Sequence, residues 1–436
     1  MDWKKIYNDR LCSADDAVKH IKSHSTVFLG HCVGDPTALI EALIRNKEQY
    51  EGLVMKHMVR LGPVDYQAPG MEKHFIDTPI FVGGNARKAL AEGRGDFVPT
   101  FFHEFPKQIR EGKQKGDYAL IMVTPPDEHG YCSLGPAVDY TMQAAKSAPV
   151  VIAQVNENLP KIYGNSFLHV SEFDHIVEAN TPLYEIQPIE ISDVEKEIGK
   201  HCASLIEDGS TLQLGIGGIP DAVMLFLKDK KDLGIHSEMI SDGTLALWEE
   251  GAITNNMKSE NKGKMIITFL MGTQKLYDFV NDNPSVEIHP VDYVNHPVTV
   301  MRQSKMISVN SAMQVDLMGQ VNAESIGLKQ FSAVGGQVDF IRGVAMGDDG
   351  KAIIAMPSIT VKKDGTKISK IVPFLDEGAA VTTSRNDIDY VVTEYGIAEL
   401  KGETLRQRAR NLIEIAHPDV QDGLKEEFEK RFKETY

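Results

Sequence analysis

Residues 210–227 read STLQLGIGGIPDAVMLFL, and residues 25–43 read STVFLGHCVGDPTALIEAL. Both run through the same parts in the same order: Ser-Thr, a short apolar strand, a glycine, a tight turn, a proline and an amphipathic helix. The earlier copy holds one extra residue before its proline. A strand that ends in glycine and turns into a helix is the opening step of a βα unit in a parallel sheet. Two such openings in the two halves of one chain predict an α/β protein built from two similar open domains.

The surrounding sequence agrees. Short β-rich apolar runs fall at residues 27–29, 119–123, 150–155, 212–214, 265–270, 306–309, 352–356 and 390–393. Several are continuous rather than alternating, as in strands covered on both faces. Helical patterns at 36–46, 194–207, 221–228, 273–280 and 403–416 lie between them, and 420–433 reads as a charged, solvent-facing helix. The polar, proline-bearing stretch NTPLYEIQPIEIS at 180–192 marks a boundary. We therefore expect one domain over residues 1–190 and a second over 191–436, with the active site at their interface.

At 436 residues the chain exceeds what one hydrophobic core normally serves. A composition of 42% hydrophobic and 25% charged residues excludes intrinsic disorder and coiled-coil architecture. Lys and Arg number 46 against 62 Asp and Glu, a net charge of -16. So acidic a chain lacks the field for wrapping nucleic acid or docking on anionic lipid. No signal peptide is visible in the first thirty residues, and no apolar run is long enough to span a membrane. Cys12, Cys32, Cys132 and Cys202 are too far apart for a CxxC pair, and the histidines show no HExxH spacing. These features predict a cytoplasmic protein with no metal site.

The chemistry points to residues 214–223, LGIGGIPDAV. Gly215, Gly217 and Gly218 remove side chains where backbone N–H groups would face a ligand, and Pro220 suits a first helical turn. The turn offers amide donors and a helix N-terminus to an anion or a developing oxyanion; it is equally compatible with a tight turn that binds nothing. A dinucleotide fingerprint is the rival reading, because Glu238 lies 23 residues after Gly215, where such a motif places its ribose-binding acid. Against that, position 220 is proline, MISDGT after Glu238 reads as strand then turn, and no second mononucleotide half follows. A nicotinamide-dependent oxidoreductase is thus the lesser alternative.

The segments GIGGIPDAV (215–223), GIHSEMISDG (234–243), VNSAMQVDLMGQ (309–320), VGGQVDF (334–340) and SRNDIDYVVTEYGIAEL (384–400) are together similar to the acetyl-CoA hydrolase/transferase family, the class I CoA-transferases. MDWKKIY at the start and VTPPDEHGYCSLG at 123–135 extend the resemblance over nearly the whole chain. It implies transfer of CoA between a short-chain (C4) acyl-CoA, such as 4-hydroxybutyryl-CoA or butyryl-CoA, and acetate. Coenzyme A is then a substrate, no cofactor is held permanently, and the protein is a homo-oligomer, dimer or tetramer. Hydrolysis of acyl-CoA at the same site, and a catalytically silent CoA-binding subunit, remain open beside it.

The resemblance implies a role for each matching position. Glu238 corresponds to the family's nucleophile, which forms an acyl–glutamyl anhydride and then a glutamyl-CoA thioester. Read without the family, it is a surface or capping glutamate. Gly215, Ile216, Gly217, Gly218 and Ile219 match the CoA-binding loop, and Gly335 and Gly336 a second glycine turn close to CoA. Asn310 and Met313 match the stretch lining the thiol end, although core packing serves Met313 as well. Lys362 and Lys363, before an Asp-Gly turn, are candidates for CoA phosphates, or simply a solvated hairpin tip. His31, in the turn that echoes the glycine loop, and His57, near a strand end, are candidates for hydrogen bonding an acid substrate, against the commoner structural role of a lone histidine.

Overall fold

The computed structural model describes residues 2–436 and divides the chain into two compact units. One runs to Gln187 and takes in Lys264–Val294; the other comprises Pro188–Gly263 and Asn295–Tyr436.

The first unit is built on six parallel strands, β1 (Thr26–Leu29), β2 (Leu53–His57), β3 (Phe75–Pro79), β4 (Tyr118–Val123), β5 (Val150–Val155) and β6 (His175–Glu178). Their order is β3-β2-β1-β4-β5-β6. All six residues of β4 are buried, which is why YALIMV shows no polar alternation. Helix α1 (Thr37–Arg45) follows β1 and lays Leu39, Ile40 and Leu43 on a core that includes Val27, Leu29, Leu53, Met55, Leu120 and Ile152. Each such side chain stabilises the fold by about 1.5–3 kcal/mol.

Residues 264–294 return to this unit. Met265–Ile267 and Val286–Ile288 pair in parallel with each other, and the latter pairs with Tyr163–Gly164. Gly164 has φ 115°, and a Cβ there would overlap the Ile288 backbone, so the pairing needs glycine.

The second unit repeats the plan. Strands β7 (Thr211–Leu214), β8 (Gly234–Ile235), β9 (Met306–Asn310), β10 (Lys351–Ala355), β11 (Tyr390–Thr393) and β12 (Gly396–Glu399) lie in the order β8-β7-β9-β10-β11-β12. All neighbours are parallel except β11 and β12. Helix α2 (Asp193–Ser204) starts with a Ser192/Glu195 capping box and packs on α3 (Gly218–Leu225). The contact is so close that a Cβ on Gly199 would lie 2.6 Å from the Ala222 backbone. Helix α4 (Gln337–Met346) precedes β10.

In both units the first strand, β1 or β7, is where the order reverses, the position at which open α/β sheets place their ligands beyond the strand ends. The two echoing segments sit there. No helix among the described residues is long and apolar enough to cross a membrane.

Candidate active site

Strand β7 ends at Leu214, and the chain turns through Gly215–Gly217 into α3. Gly217 has φ 110° and ψ −179°, a conformation essentially confined to glycine. Ile216 is 40% exposed, so the turn stands open. Its neighbours face inward: a Cβ on Gly218 would collide with the Glu195 carboxylate, and Ile219 is buried.

Beside this turn runs the segment that carries Glu238. The His236 N–H donates to the Leu212 carbonyl at 3.2 Å, and Ser237 Oγ donates to the Leu214 carbonyl at 3.2 Å. These bonds carry the chain along the end of β7 and bring the half-buried Glu238 out beside the glycine turn. Its Oε2 accepts a hydrogen bond from Asn295 Nδ2 at 2.6 Å. The same oxygen abuts Gly336, where any Cβ would overlap it. Gly335, at φ 52°, turns the chain so that Gly336 becomes the N-cap of α4. The carboxylate thus lies by a helix N-terminus, whose partial positive charge favours an anion.

Asn295 is wholly buried, and its Nδ2 is also 3.5 Å from Oδ2 of the buried Asp339, in the first turn of α4. Sequence reasoning brought Glu238 and the Gly335–Gly336 turn forward but missed Asn295 and Asp339. The former sits between Pro290 and Pro297 and reads as a turn residue; the latter reads as an ordinary helix-start acid.

Asn310 ends β9, where its Nδ2 donates to Gln213 Oε1 of β7 at 3.2 Å and to Ser308 Oγ at 2.8 Å. It lies at the reversal point of the sheet. Met313 follows it, half-buried, with its N–H donated to the Asn322 carbonyl at 2.8 Å. Lys362 and Lys363 occupy the exposed turn of the hairpin Ile359–Val361/Lys367–Ser369, outside the hydrogen-bonded set around Glu238.

The two histidines belong to the first unit. His31 Nδ1 donates to Asp139 Oδ2 at 2.8 Å, both side chains wholly buried, and the ring packs on Phe269 at 4.6 Å. Its Nε2 has no hydrogen-bond partner among the described residues. Both ring nitrogens of His57 have partners within the first unit: Nδ1 lies 2.7 Å from the Met58 carbonyl and Nε2 lies 2.6 Å from Asp77 Oδ1. The Tyr66 hydroxyl lies 3.1 Å from the same Nε2.

Chemically, the second unit presents a carboxylate with one oxygen held by a buried amide, next to a glycine turn and a helix N-terminus. Such a group is placed to attack an electrophilic carbonyl and to have the resulting oxyanion received by N–H donors.

Comparison with known proteins gives a consistent picture. Models of the acetyl-CoA hydrolase/transferase N-terminal and C-terminal domains match residues 1–186 and 272–428. A 4-hydroxybutyrate coenzyme A transferase of Clostridium kluyveri is 57% identical, over 99% of this chain and 100% of its own length. A butyryl-CoA:acetate CoA-transferase of Anaerostipes caccae is 38% identical over 99% of this chain and 98% of its own. The crystal structure of a 4-hydroxybutyrate CoA-transferase from Porphyromonas gingivalis superimposes with a TM-score of 0.86 at 42% identity, covering 99% and 100% of the two chains.

Proposed function

The chain belongs to the acetyl-CoA hydrolase/transferase family and is a CoA-transferase, and from that premise we propose that Glu238 is its nucleophile and that CoA passes between a C4 acyl-CoA and acetate. The observation that carries this reading is the hold on Glu238: one carboxylate oxygen fixed by Asn295 at 2.6 Å and seated on Gly336, at the strand ends beside the open glycine turn. The choice of 4-hydroxybutyryl-CoA or butyryl-CoA as acyl donor is supported by what the two relatives are named for.

In the proposed cycle Glu238 attacks the thioester carbonyl, and the C–S bond breaks to give an acyl–glutamyl anhydride and CoA thiolate. The thiolate attacks the glutamyl carbon and expels the donor acid, leaving a glutamyl-CoA thioester. The acceptor carboxylate attacks that thioester, and the thiolate returns to the new acyl group as Glu238 leaves. Each leaving group is held for the next step, so thioester energy is conserved. A carboxylate nucleophile suits this exchange, because the anhydride and thioester it forms are both activated. The N–H groups of the Gly215–Gly217 turn are read as donors to the thioester oxyanion, a term worth roughly 3 kcal/mol per donor. The Gly335–Gly336 turn is read as lining the same reaction space. Hydrolysis competes only to the extent that water reaches either intermediate.

Mass spectrometry of the protein mixed with acyl-CoA tests the reading. The expected result is a CoA adduct on the Glu238 peptide, sensitive to hydroxylamine and absent from Glu238→Ala. An adduct on a cysteine instead, or turnover by Glu238→Ala, would remove Glu238 from the mechanism. CoA release that does not depend on an acceptor acid would make the protein a hydrolase.

A further inference from the structure

We propose that Asp339 is a positioning residue for the transfer reaction: its carboxylate holds the side-chain amide of Asn295 in the one orientation that points an N–H at Glu238. This rests on the reading of Glu238 as nucleophile. The amide lies between two carboxylates, with Nδ2 at 2.6 Å from Glu238 Oε2 and 3.5 Å from Asp339 Oδ2. An amide nitrogen has two hydrogens to give, and an ionised carboxylate can only accept. Turning the amide carbonyl toward either acid would set lone pair against lone pair, so the NH₂ faces both.

That orientation has a cost on the other side. Asn295 Oδ1 is buried and has no hydrogen-bond partner among the described residues. A buried, unpaired acceptor favours any rearrangement that would satisfy it; the acids at the NH₂ end oppose that rearrangement. Glu238 cannot do so throughout the cycle, because it ceases to be a carboxylate when it becomes an anhydride and then a thioester. Asp339 is not acylated, so its oxygen stays an acceptor at every stage. It also sits in the first turn of α4, the helix whose N-cap Gly336 abuts Glu238, so amide and nucleophile are referred to one rigid element.

The step that depends on this is the second. The CoA sulfur bonds to the glutamyl carbon, and the carbonyl electron pair moves onto Oε2. Collapse restores the carbonyl and breaks the bond to the acyl oxygen, releasing the donor acid as a carboxylate. During that step Oε2 is an oxyanion, and the Asn295 N–H already directed at it stabilises the charge. The same holds when the acceptor acid attacks.

Asp339→Asn, almost isosteric, tests the proposal, because its own amide can donate to Asn295 Oδ1 and so permits the flip. We expect kcat to fall about 100-fold, the size of losing one oxyanion donor. The KM for acyl-CoA should stay within about threefold, and the melting temperature should hold. The rate of Glu238–CoA adduct formation, followed by quench and mass spectrometry, should fall with kcat. In an Asn295→Ala background the same change should add nothing, since coupled residues do not add. Asp339→Glu, which keeps the acceptor, should recover at least about tenfold over Asp339→Asn and serves as the folded comparison if the latter melts early. Wild-type adduct formation in Asp339→Asn, a full extra loss on top of Asn295→Ala, or equal loss in a folded Asp339→Glu would each overturn the proposal while leaving Glu238 in place. Absence of the adduct in the unaltered protein would remove the nucleophile and this inference with it.

Discussion

The turn after β1, residues 30–36, and the turn after β7, residues 215–217, leave their sheets at the same kind of place, the strand where the order reverses. They are built in opposite ways. Every residue from Gly30 to Pro36 is buried. His31 is bonded to Asp139, and Asp35 Oδ2 accepts from Arg60 Nε at 2.8 Å and from the Gly62 N–H at 3.2 Å. In the later turn glycines replace those side chains, and Ile216 faces solvent. The backbone plan brings both turns to the strand ends where open α/β sheets take ligands; whether that place is open depends on what the turn's own side chains do with it. In one unit they are spent on internal pairing, and in the other they have been removed.

The comparison breaks most visibly at Arg60. Asp35 and Arg60 are both buried, and burial pushes the Asp35 carboxyl up from its ordinary range while Arg60 pulls it down. Replacing Arg60 with Met leaves a buried carboxyl without its cation, which typically costs 3–5 kcal/mol. Urea unfolding at neutral pH should show a loss of about that size, shrinking toward acid pH as Asp35 takes up a proton in the fold. A variant as stable as the parent would mean that the filled turn does not depend on its ion pair.

A smaller effect is expected at the open turn, and there fold and function separate. Gly217→Ala meets no atom but forces a side chain onto φ 110°, at a cost of about 1–3 kcal/mol. Gly215 has no such backbone demand, and the nearest atom to an added Cβ, Pro220 Cγ, is 4.0 Å away. Gly215→Ala should therefore leave melting unchanged within about 0.5 kcal/mol. Its turnover should still fall by about 100-fold, if a methyl there displaces the thioester by about 1 Å. Unimpaired transfer in Gly215→Ala would show that the turn is open without being used.

How far sequence alone reaches follows from the same contrast. Apolar runs such as residues 150–155 and 390–393 coincide with their strands, because burial on both faces leaves only one polar residue in each, Gln154 and Thr393, to interrupt them. Strand β3, FIDTP, carries a buried acid and ends in proline, so it does not read as a strand until Asp77 is seen bonded to His57. Glu238 was legible through its motif. Asn295 and Asp339 were not, because Asn295 reaches Glu238 across 57 positions of chain, Asp339 reaches Asn295 across a further 44, and only the folded second unit joins them. The return of 264–294 to the first unit rests on two three-residue strands, too short to announce their partner.

The two units differ also in how they hold a cation drawn away from water, and this gives a further test of the contrast. Arg60 in the first unit is paired. Lys370 in the second follows the hairpin strand Lys367–Ser369, with its backbone bonded to Ser358 and Val315. The nearby Glu394 accepts from the Ser358 N–H at 2.8 Å and from Ser358 Oγ at 2.6 Å. Burial pushes the Lys370 ammonium down to about 8, with Glu394 pulling weakly the other way. Between that value and the ordinary 10.5 the unfolded chain binds more protons than the folded one, so this group makes stability rise with pH across the window. Below about pH 8 both states are charged, and the lysine weighs on the fold by a constant amount. Lys370→Met should therefore melt above the parent at pH 7, with the gap closing as pH approaches 10. The effect is smaller than that at Arg60, since the half-buried side chain keeps a path to water. If the variant melts below the parent, or the gap does not change with pH, Lys370 is matched as firmly as Arg60, and the difference between the units is confined to their turns.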